Sequence, residues 1–204
     1  MPRRVLVILA HPVLERSRVN RRLADVAAGV KGVTLHDLYE SYPTLAINVR
    51  YEQKLLLEHD AIVFQHPFYW YSAPAIVKEW QDLVLEYGWA YGRGGDKLKG
   101  KVTLNAISTG GPVFAYRKDG YNRFTMRELL APFDQTAHLC GMKFLAPFVV
   151  HGSLRVETDE HMAEHNAAYK RVLEALRDDA LDVEKAMKVE KLSDELDVLI
   201  RKAS

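Results

Sequence analysis

The segment from His11 to Asn20 contains side chains suited to binding an anion. The string Ser17-Arg18-Val19-Asn20 opens a predicted helix soon after a buried strand that ends near His11. Free backbone N–H groups and the helix dipole attract phosphate at such a position. The Ser17 hydroxyl and the Asn20 amide can donate to phosphate oxygens, and adjacent arginines add positive charge. The alternative is that Ser17 only caps its helix and that His11 is a polar strand end.

A second segment, His66-Pro67-Phe68-Tyr69-Trp70-Tyr71-Ser72, carries four consecutive aromatic residues after another predicted strand. Four neighbouring aromatic side chains in a loop cannot all point into the core. A protein in water exposes such a patch where a planar ligand or a protein partner covers it. The segment therefore predicts an aromatic wall of a ligand site or a dimer interface, and the two are compatible.

A third segment, Ser108-Thr109-Gly110-Gly111-Pro112, ends a further predicted strand. Glycine lets a backbone approach a ligand without obstruction by a Cβ atom. Adjacent backbone N–H groups can then hydrogen-bond to an oxyanion. Alone the pattern is weak evidence, since glycine at a strand end usually makes a turn. Its value depends on where the other two segments lie.

The hydrophobic pattern predicts strands that alternate with helices. Strands are predicted at 4–10, 33–38, 61–65, 102–107 and 144–150, and helices at 17–30, 51–59, 72–87, 125–141 and 158–177. Continuous β-branched runs indicate strands buried on both faces, and apolar residues at a 3.6-residue period indicate helices. The alternation predicts an α/β protein with a flavodoxin-like, doubly wound, five-stranded parallel sheet of order 2-1-3-4-5 and helices on both faces.

In this strand order, a ligand binds beyond the carboxyl ends of the first, third and fourth strands, where the chain reverses direction across the sheet. The three segments follow those strands, so we expect them to converge. One offers phosphate donors, one offers aromatic walls and one offers close backbone donors. A flavin mononucleotide (FMN) satisfies all three requirements. The sequence contains neither a G-x-G-x-x-G dinucleotide fingerprint nor a Walker lysine motif.

Composition narrows the classes of partner and compartment. The 28 basic and 27 acidic residues nearly cancel, which removes a general electrostatic case for binding nucleic acid. The single cysteine, Cys140, excludes an internal disulfide and a cysteine-rich zinc site. The apolar run from Val5 to Ala10 is too short for a signal peptide, and no run approaches the ~20 residues of a membrane span. We therefore expect a cytoplasmic protein.

Residues 178–204 differ in composition from residues 1–177, which we expect to form the ligand-binding domain. The final segment is densely charged. Its apolar residues recur at spacings of three and four: Val189, Leu192, Leu196, Leu199 and Ala203. This pattern predicts a charged amphipathic C-terminal helix that packs on the body of the protein or on a second subunit.

Together these motifs resemble the flavodoxin-like NAD(P)H:quinone reductase family. The resemblance is closest to a branch of small bacterial ancillary subunits of glutathione-regulated potassium-efflux systems. The matching strings lie in the same order over residues 5 to about 175 and are Ala10-His11-Pro12, Ser17-Arg18-Val19-Asn20, Gln65-His66-Pro67, Trp70-Tyr71-Ser72, Gly88-Trp89-Ala90-Tyr91-Gly92 with Gly94-Gly95, and Thr109-Gly110-Gly111. The two strings that contain tryptophan are fairly specific, whereas the glycine pair is not.

The resemblance implies a site, position by position. His11 and the string from Ser17 to Asn20 would hold the flavin phosphate, and Pro67 to Tyr71 would line the isoalloxazine ring. Ser108 to Gly111 would present backbone N–H groups to N1 and the C2 carbonyl of the ring, where reduced flavin carries negative charge. In a homodimer, Tyr91 would reach into the site of the other subunit as a lid over the nicotinamide or quinone.

One part of the family pattern is altered. Quinone reductases of the animal type have a tyrosine and a histidine in the loop after the glycine pair, proposed to relay a proton. Here Tyr116 lies at the tyrosine spacing, but Asn122 lies at the approximate place of the histidine. Asparagine cannot act as a general acid, which puts the relay in doubt. Tyr116 is kept as a candidate catalytic residue, and an ordinary surface tyrosine is the alternative.

The function implied by the resemblance is transfer of two electrons from NADPH or NADH to a quinone through one stacked site, with ping-pong kinetics. FMN is favoured over FAD by the short phosphate loop and by the closer resemblance. One alternative is a regulatory subunit that docks on a membrane potassium/proton antiporter and has little turnover. The other is an FMN electron carrier, against which the aromatic, dimer-type loops argue.

Overall fold

The computed structural model describes residues 2–156 and 158–201. Its strands are β1 (Val5–Leu9), β2 (Val33–Asp37), β3 (Ala61–Pro67), β4 (Val102–Ser108), β5 (Lys143–Phe144) and β6 (Phe148–Val150). They form a sheet in the order β2-β1-β3-β4-β5, with β6 also paired to β4. All pairs are parallel, so the predicted order and direction are confirmed.

The predicted fifth strand, 144–150, is divided, so the sheet has six strands where five were predicted. β5 pairs with the start of β4 and β6 pairs with its end, which leaves both pieces at the same side of β4. Between them, the N–H of Ala146 donates to the carbonyl of Ala186 in the C-terminal segment. Pro147 follows and has no N–H to donate to a ladder. The strand is interrupted because its backbone bonds there to another part of the chain.

Helices cover both faces of the sheet, as predicted. They are α1 (Asn20–Gly29), α2 (Leu38–Ser41), α3 (Val49–Glu58), α4 (Ala75–Val84), α5 (Met126–Leu129), α6 (Ala131–Leu139), α7 (Ala163–Arg177), α8 (Val183–Ala186) and α9 (Leu196–Leu199). One hydrophobic cluster joins α1 and α7 to one face, and a second joins α3, α4 and α6 to the other. β1, β3 and β4 are buried along their whole length between these two layers.

Three helices start three or more residues later than predicted, among them α4, which begins at Ala75 and not at residue 72. α1 begins at Asn20 and not at Ser17, and α7 begins at Ala163 after a 3-10 turn at Glu160–Met162. The predicted helix at 125–141 is two helices, α5 and α6, and Thr125 with Glu128 forms a capping box at the start of α5. The late start of α1 leaves Ser17 to Val19 as extended or turning backbone at the edge of the sheet.

The C-terminal segment, residues 178–201, does not form the predicted continuous helix. It contains the two short helices α8 and α9 joined by turns, and Ala203 lies outside the described residues. Four residues of the predicted seam still pack against the core of the α1/α7 face: Val189, Leu192, Leu196 and Leu199. The N–H of Leu192 donates to the carbonyl of Pro147, and Ala186 accepts from Ala146. A continuous helix would use these backbone groups internally, so it could not bond to the sheet edge in this way.

No helix in residues 2–156 and 158–201 combines the length and the apolar character that crossing a membrane would require.

Candidate functional site

The three loops predicted to converge lie together at the carboxyl edge of the sheet. Leu9 of β1 pairs with Gln65 of β3, and Pro67 of β3 pairs with Ser108 of β4, so the chain leaves these strands side by side. Their loops line two clefts, of about 570 Å³ and about 640 Å³, which share Phe68 as a wall. We call them the first cleft and the second cleft.

The first cleft is lined by residues of all three predicted loops and of the loop after β6: His11, Val13, Arg16, Ser17, Arg18, Val19, Pro67, Phe68, Tyr69, Ser108, Gly110, Ser153 and Leu154. The second cleft is lined by the rest of the aromatic loop and by the segment after the glycine pair: Phe68, Trp70, Tyr71, Gly111, Pro112, Phe114, Ala115, Tyr116, Tyr121, Asn122 and Arg155.

One end of the first cleft is formed by the start of α1. The Ser17 hydroxyl accepts a hydrogen bond from the N–H of Asn20 at 2.9 Å, so Ser17 caps the helix and also lines the cleft. Within the described residues, the N–H groups of Arg18 and Val19 have no hydrogen-bond acceptor. The Arg18 side chain donates to the carbonyl of Leu154 at 3.0 Å, which holds its positive charge at the cleft. Free amides beside arginines make this end suited to a phosphate.

His11 lines the same end as a neutral donor. Its Nδ1 accepts a hydrogen bond from the N–H of Val13 at 3.2 Å, which leaves the proton of the neutral ring on Nε2. Burial lowers the pKa of His11, against the raising effects of Asp37 and Glu15. The ring lies edge-on to Tyr69, with centroids 6.3 Å apart. A neutral imidazole with a free N–H can therefore bind an acceptor in the first cleft.

Asn20 lies beneath the cleft and does not line it. Its side chain is buried, with the residue 1% exposed, and its Nδ2 donates to Oγ of Ser108 at 2.8 Å. Gln65 donates to the carbonyl of Asn20 at 2.9 Å and accepts from the Tyr169 hydroxyl at 3.1 Å. The Asn20 amide therefore joins the bases of the first and third loops, while the sequence predicted that it would contact phosphate directly.

The aromatic loop has a left-handed backbone at two bulky residues. Trp70 has φ of 49° and Tyr71 has φ of 61°. Each such residue costs of order 1–3 kcal/mol and persists where its surroundings enforce it. The Trp70 side chain is left 93% exposed, whereas Phe68 is buried between the clefts. The loop thus presents rings to the clefts and to solvent at the expense of backbone strain, which points to a role in binding.

The glycine loop brings backbone close to both clefts. A Cβ atom on Gly111 would lie 3.2 Å from Cε2 of Tyr116, and one on Gly110 would lie 3.6 Å from the Leu154 side chain. In the described part of the chain, the N–H of Gly110 has no hydrogen-bond acceptor. Thr109 is buried beneath the loop, and its hydroxyl donates to the carbonyl of Gly111 at 2.8 Å. Thr109 therefore supports the loop, while Gly110 offers a free donor to the first cleft.

Tyr116 lies in the wall of the second cleft. Its ring is 6.3 Å from Phe68 and 5.3 Å from His151, centroid to centroid. Burial raises the pKa of its hydroxyl, so the phenol keeps its proton at neutral pH. Nearby, Oδ1 of Asn122 accepts from the hydroxyl of Tyr71 at 3.2 Å and so ties the segment after the glycine pair to the aromatic loop. Asn122 therefore helps to hold this wall together.

Tyr91 lies away from both clefts of its own chain. Its ring is edge-on to Tyr87 with centroids 5.8 Å apart. The turn that carries it depends on glycine, since a Cβ on Gly95 would lie 2.1 Å from the carbonyl oxygen of Tyr91. The predicted action of Tyr91 on another subunit is consequently untested by a single chain and stays a prediction.

The loop after β6 was missed in the sequence. Ser153 and Leu154 line the first cleft, Arg155 lines the second, and His151 lies against Tyr116. A signal was present, because His151-Gly152 directly follows the last buried strand. The same rule that located the other three loops, that ligands bind beyond the carboxyl ends of parallel strands, applies here as well.

Comparison with known proteins agrees with this architecture. The chain matches the family described as having a flavodoxin-like fold over residues 3–173. It is 44% identical over 166 residues to the uncharacterized NAD(P)H oxidoreductase YdeQ of Bacillus subtilis, covering 81% of this chain and 84% of the relative. It is 45% identical over 174 residues to the glutathione-regulated potassium-efflux system ancillary protein KefG of Yersinia enterocolitica, covering 85% and 94%.

Two solved structures show the same arrangement. General stress protein 14 of Treponema denticola, in complex with FMN, matches with a TM-score of 0.76 at 38% identity, covering 86% of this chain and 98% of that chain. An NADPH-quinone reductase of P. pentosaceus matches with a TM-score of 0.74 at 34% identity, covering 83% and 96%. The chain therefore belongs to the flavodoxin-like family, and proteins named NAD(P)H oxidoreductase and potassium-efflux ancillary protein are among its relatives.

Proposed function

We propose that this protein binds FMN in the first cleft and transfers two electrons from NAD(P)H to a quinone. The observation that carries the proposal is that one cleft is lined by backbone N–H donors from two different loops. The free amides of Arg18 and Val19 lie at one end, and the free amide of Gly110 lies in the glycine loop. Phe68 and Tyr69 form aromatic walls between them.

The residues present fit this cofactor. A phosphate needs several donors and positive charge, which the start of α1 supplies through backbone N–H groups, Arg16 and Arg18. A flat ring needs apolar walls, which Phe68 and Tyr69 supply, and a backbone donor at its edge, which Gly110 supplies. FMN is favoured over FAD because the phosphate end is a single helix start, and because a related structure contains FMN.

When bound, FMN supplies two-electron chemistry: NAD(P)H, a proton and a quinone become NAD(P)⁺ and a hydroquinone. The chain itself orients the reactants and excludes water from the aromatic walls. The Gly110 N–H stabilises negative charge at the cleft edge. Tyr116, with its proton retained, is a donor for the quinone oxygen in the second cleft. Both substrates would use this second cleft in turn, which gives ping-pong kinetics.

The second cleft also bears on assembly. Trp70, Phe114 and Tyr121 are largely exposed around it. A homodimer would cover these rings, and it would allow Tyr91 of one subunit to close the site of the other. Size-exclusion chromatography with light scattering measures this directly, and a monomer at micromolar concentration would contradict it.

The function is tested by spectroscopy of the purified protein. We expect flavin absorbance that is bleached by NADPH or NADH without oxygen and restored by adding a quinone such as menadione. Parallel initial-rate lines would support one shared site. A protein that neither contains nor takes up FMN would refute the proposal. If the protein bound flavin but neither NADPH nor NADH reduced it, the alternative of an electron carrier would be supported instead.

A second candidate function is docking on a potassium-efflux transporter, favoured by the relatives named as ancillary proteins of such systems. The protein would then lie at the cytoplasmic side of the membrane and change potassium flux on binding. Co-purification with the transporter encoded in the same cell, together with slower efflux after deletion of this chain, would support docking. Unchanged efflux would contradict docking, and oxidoreductase activity would then be the only proposed function.

A further inference from the structure

His151 makes a hydrogen bond whose direction is determined by its neighbours. Its Nδ1 lies 3.1 Å from Oγ1 of Thr109. That hydroxyl has one hydrogen, which it donates to the carbonyl of Gly111 at 2.8 Å. Thr109 must therefore accept from His151, so the imidazole carries its proton on Nδ1.

This bond belongs to a set that holds the glycine loop against the loop after β6. The N–H of Thr109 donates to Val150 at 2.9 Å, and the N–H of Ser153 donates to the carbonyl of Thr109 at 2.8 Å. Gly152 also donates to the carbonyl of Gly111, at 3.1 Å. The His151 side chain is the only one from the described part of the β6 loop that bonds to Thr109 Oγ1. It thereby orients the hydroxyl that holds the carbonyl of Gly111.

The C-terminal segment places charges beside this imidazole. Lys191 and Asp194 form an ion pair at 2.8 Å, and the Lys191 side chain is only 14% exposed. Burial lowers the pKa of His151 to about 4; Lys191 and His165 act in the same direction, and Asp194 opposes them. Tyr116, whose ring faces His151, is uncharged at neutral pH. This segment lies beyond residues 3–173, where the family match ends.

The same segment is attached to the other wall of the second cleft. Nη1 of Arg127, in α5, donates to the carbonyls of Met187 and Val189, both at 3.0 Å. α5 directly follows the segment that carries Tyr116 and Asn122. Residues 187–189 thus contact α5, the helix that follows one wall of the second cleft.

We propose that His151 is a positioning residue for the backbone of Thr109 to Gly111, acting through its bond to the Thr109 hydroxyl. The proposal rests on the proposed function in one respect: the backbone so positioned is the one that faces FMN. His151 itself touches neither cofactor nor substrate in this role. An uncharged ring holds the loop through Nδ1–H without adding a positive charge under the second cleft.

The first test compares two amide replacements. In His151→Asn the amide nitrogen lies near the position of Nδ1, and in His151→Gln it lies nearer to Nε2. We expect His151→Asn to keep the FMN dissociation constant within about threefold and His151→Gln to raise it about tenfold, as loss of one hydrogen bond to a buried group requires. Fluorescence quenching of FMN measures both. Equal effects of the two variants would overturn the positioning role.

A second measurement needs no variant and no flavin. In ¹⁵N-labelled apoprotein the His151 ring is expected to show Nδ1 protonated and Nε2 unprotonated at pH 7. The opposite tautomer would overturn the proposal even if a variant failed to fold. Conversely, a protein that binds no FMN but shows this tautomer would refute the proposed function alone.

Discussion

The two clefts lie side by side but are held together by different parts of the molecule. The first cleft stands on a buried network in which Asn20 contacts Ser108 and Gln65 contacts both Asn20 and Tyr169. The second cleft is walled largely by half-exposed side chains, such as the pair of Tyr71 and Asn122. Buried polar groups are costly to leave unpaired, while exposed ones can bond to water. The first cleft is therefore the rigid one, suited to a resident cofactor, and the second can adapt to exchanging substrates.

The largest effect on FMN affinity is expected from placing a negative charge at the start of α1, in the first cleft. Ser17→Glu should weaken FMN binding by about a hundredfold, because its carboxylate would repel the phosphate over a few ångströms. Fluorescence titration measures the dissociation constant. Ala28→Glu, which adds the same charge at an exposed position in the last turn of α1, should have no effect. Unchanged affinity in Ser17→Glu would show that the start of α1 does not bind the phosphate.

The second-largest effect is expected from replacing an asparagine beneath the first cleft and comparing it with the same replacement at the second cleft. Asn20→Leu should lower the free energy of unfolding by about 1–3 kcal/mol, because it removes the side-chain donor to the buried hydroxyl of Ser108. Gln65 keeps its bond to the backbone carbonyl of residue 20. Asn122→Leu should change it by less than about 0.5 kcal/mol, since Tyr71 can bond to water instead. Urea denaturation of the two apoproteins measures the difference. Equal losses would mean that the regions are equally rigid.

A smaller effect is expected at the strained aromatic loop. Trp70→Ala and Trp70→Gly remove the same exposed ring, but only glycine adopts a positive φ without steric cost. The glycine variant should be more stable than the alanine variant by about 1 kcal/mol in thermal or urea unfolding. Both should raise KM for the quinone. If alanine were as stable as glycine, Trp70 would not be strained in solution.

The smallest effect is expected in the pH dependence of folding stability, to which a histidine near each cleft contributes. Burial lowers the pKa of both His11 and His151, the latter to about 4. The unfolded chain binds these protons first, so stability present above about pH 6.5 is lost as the pH falls towards 4. Urea midpoints measured between pH 7 and pH 5 should fall less in His151→Asn than in the wild type.

The sequence predicted the frame of the site because the relevant signals are local. Continuous β-branched runs such as Val5 to Leu9 suit only strands buried on both faces, and their alternation with helices leads to one parallel topology. Once that topology is accepted, the loops after β1, β3 and β4 must meet at one edge. The segments of His11, Phe68 and Gly110 could therefore be assigned to one place without coordinates.

What the sequence could not reveal is which side of each loop a residue faces. Asn20 and Thr109 belong to the predicted segments, yet both are buried beneath the clefts and support them. The course of the C-terminal segment was also misjudged, because apolar spacings of three and four suit a helix as well as a series of turns. These outcomes depend on hydrogen bonds between residues far apart in the chain.

The amino-acid sequence alone determined the layer order, the edge at which the loops gather and the kinds of donor and ring available there. Only the tertiary structure decided that these loops form two clefts and that His151 bonds to Thr109 beneath the glycine loop. The physical reason is the separation in sequence of the residues that interact. Burial patterns and turns are set by residues that are close together in the chain. The bond between Thr109 and His151 depends instead on the fold, which brings residues 42 positions apart in the chain to 3.1 Å.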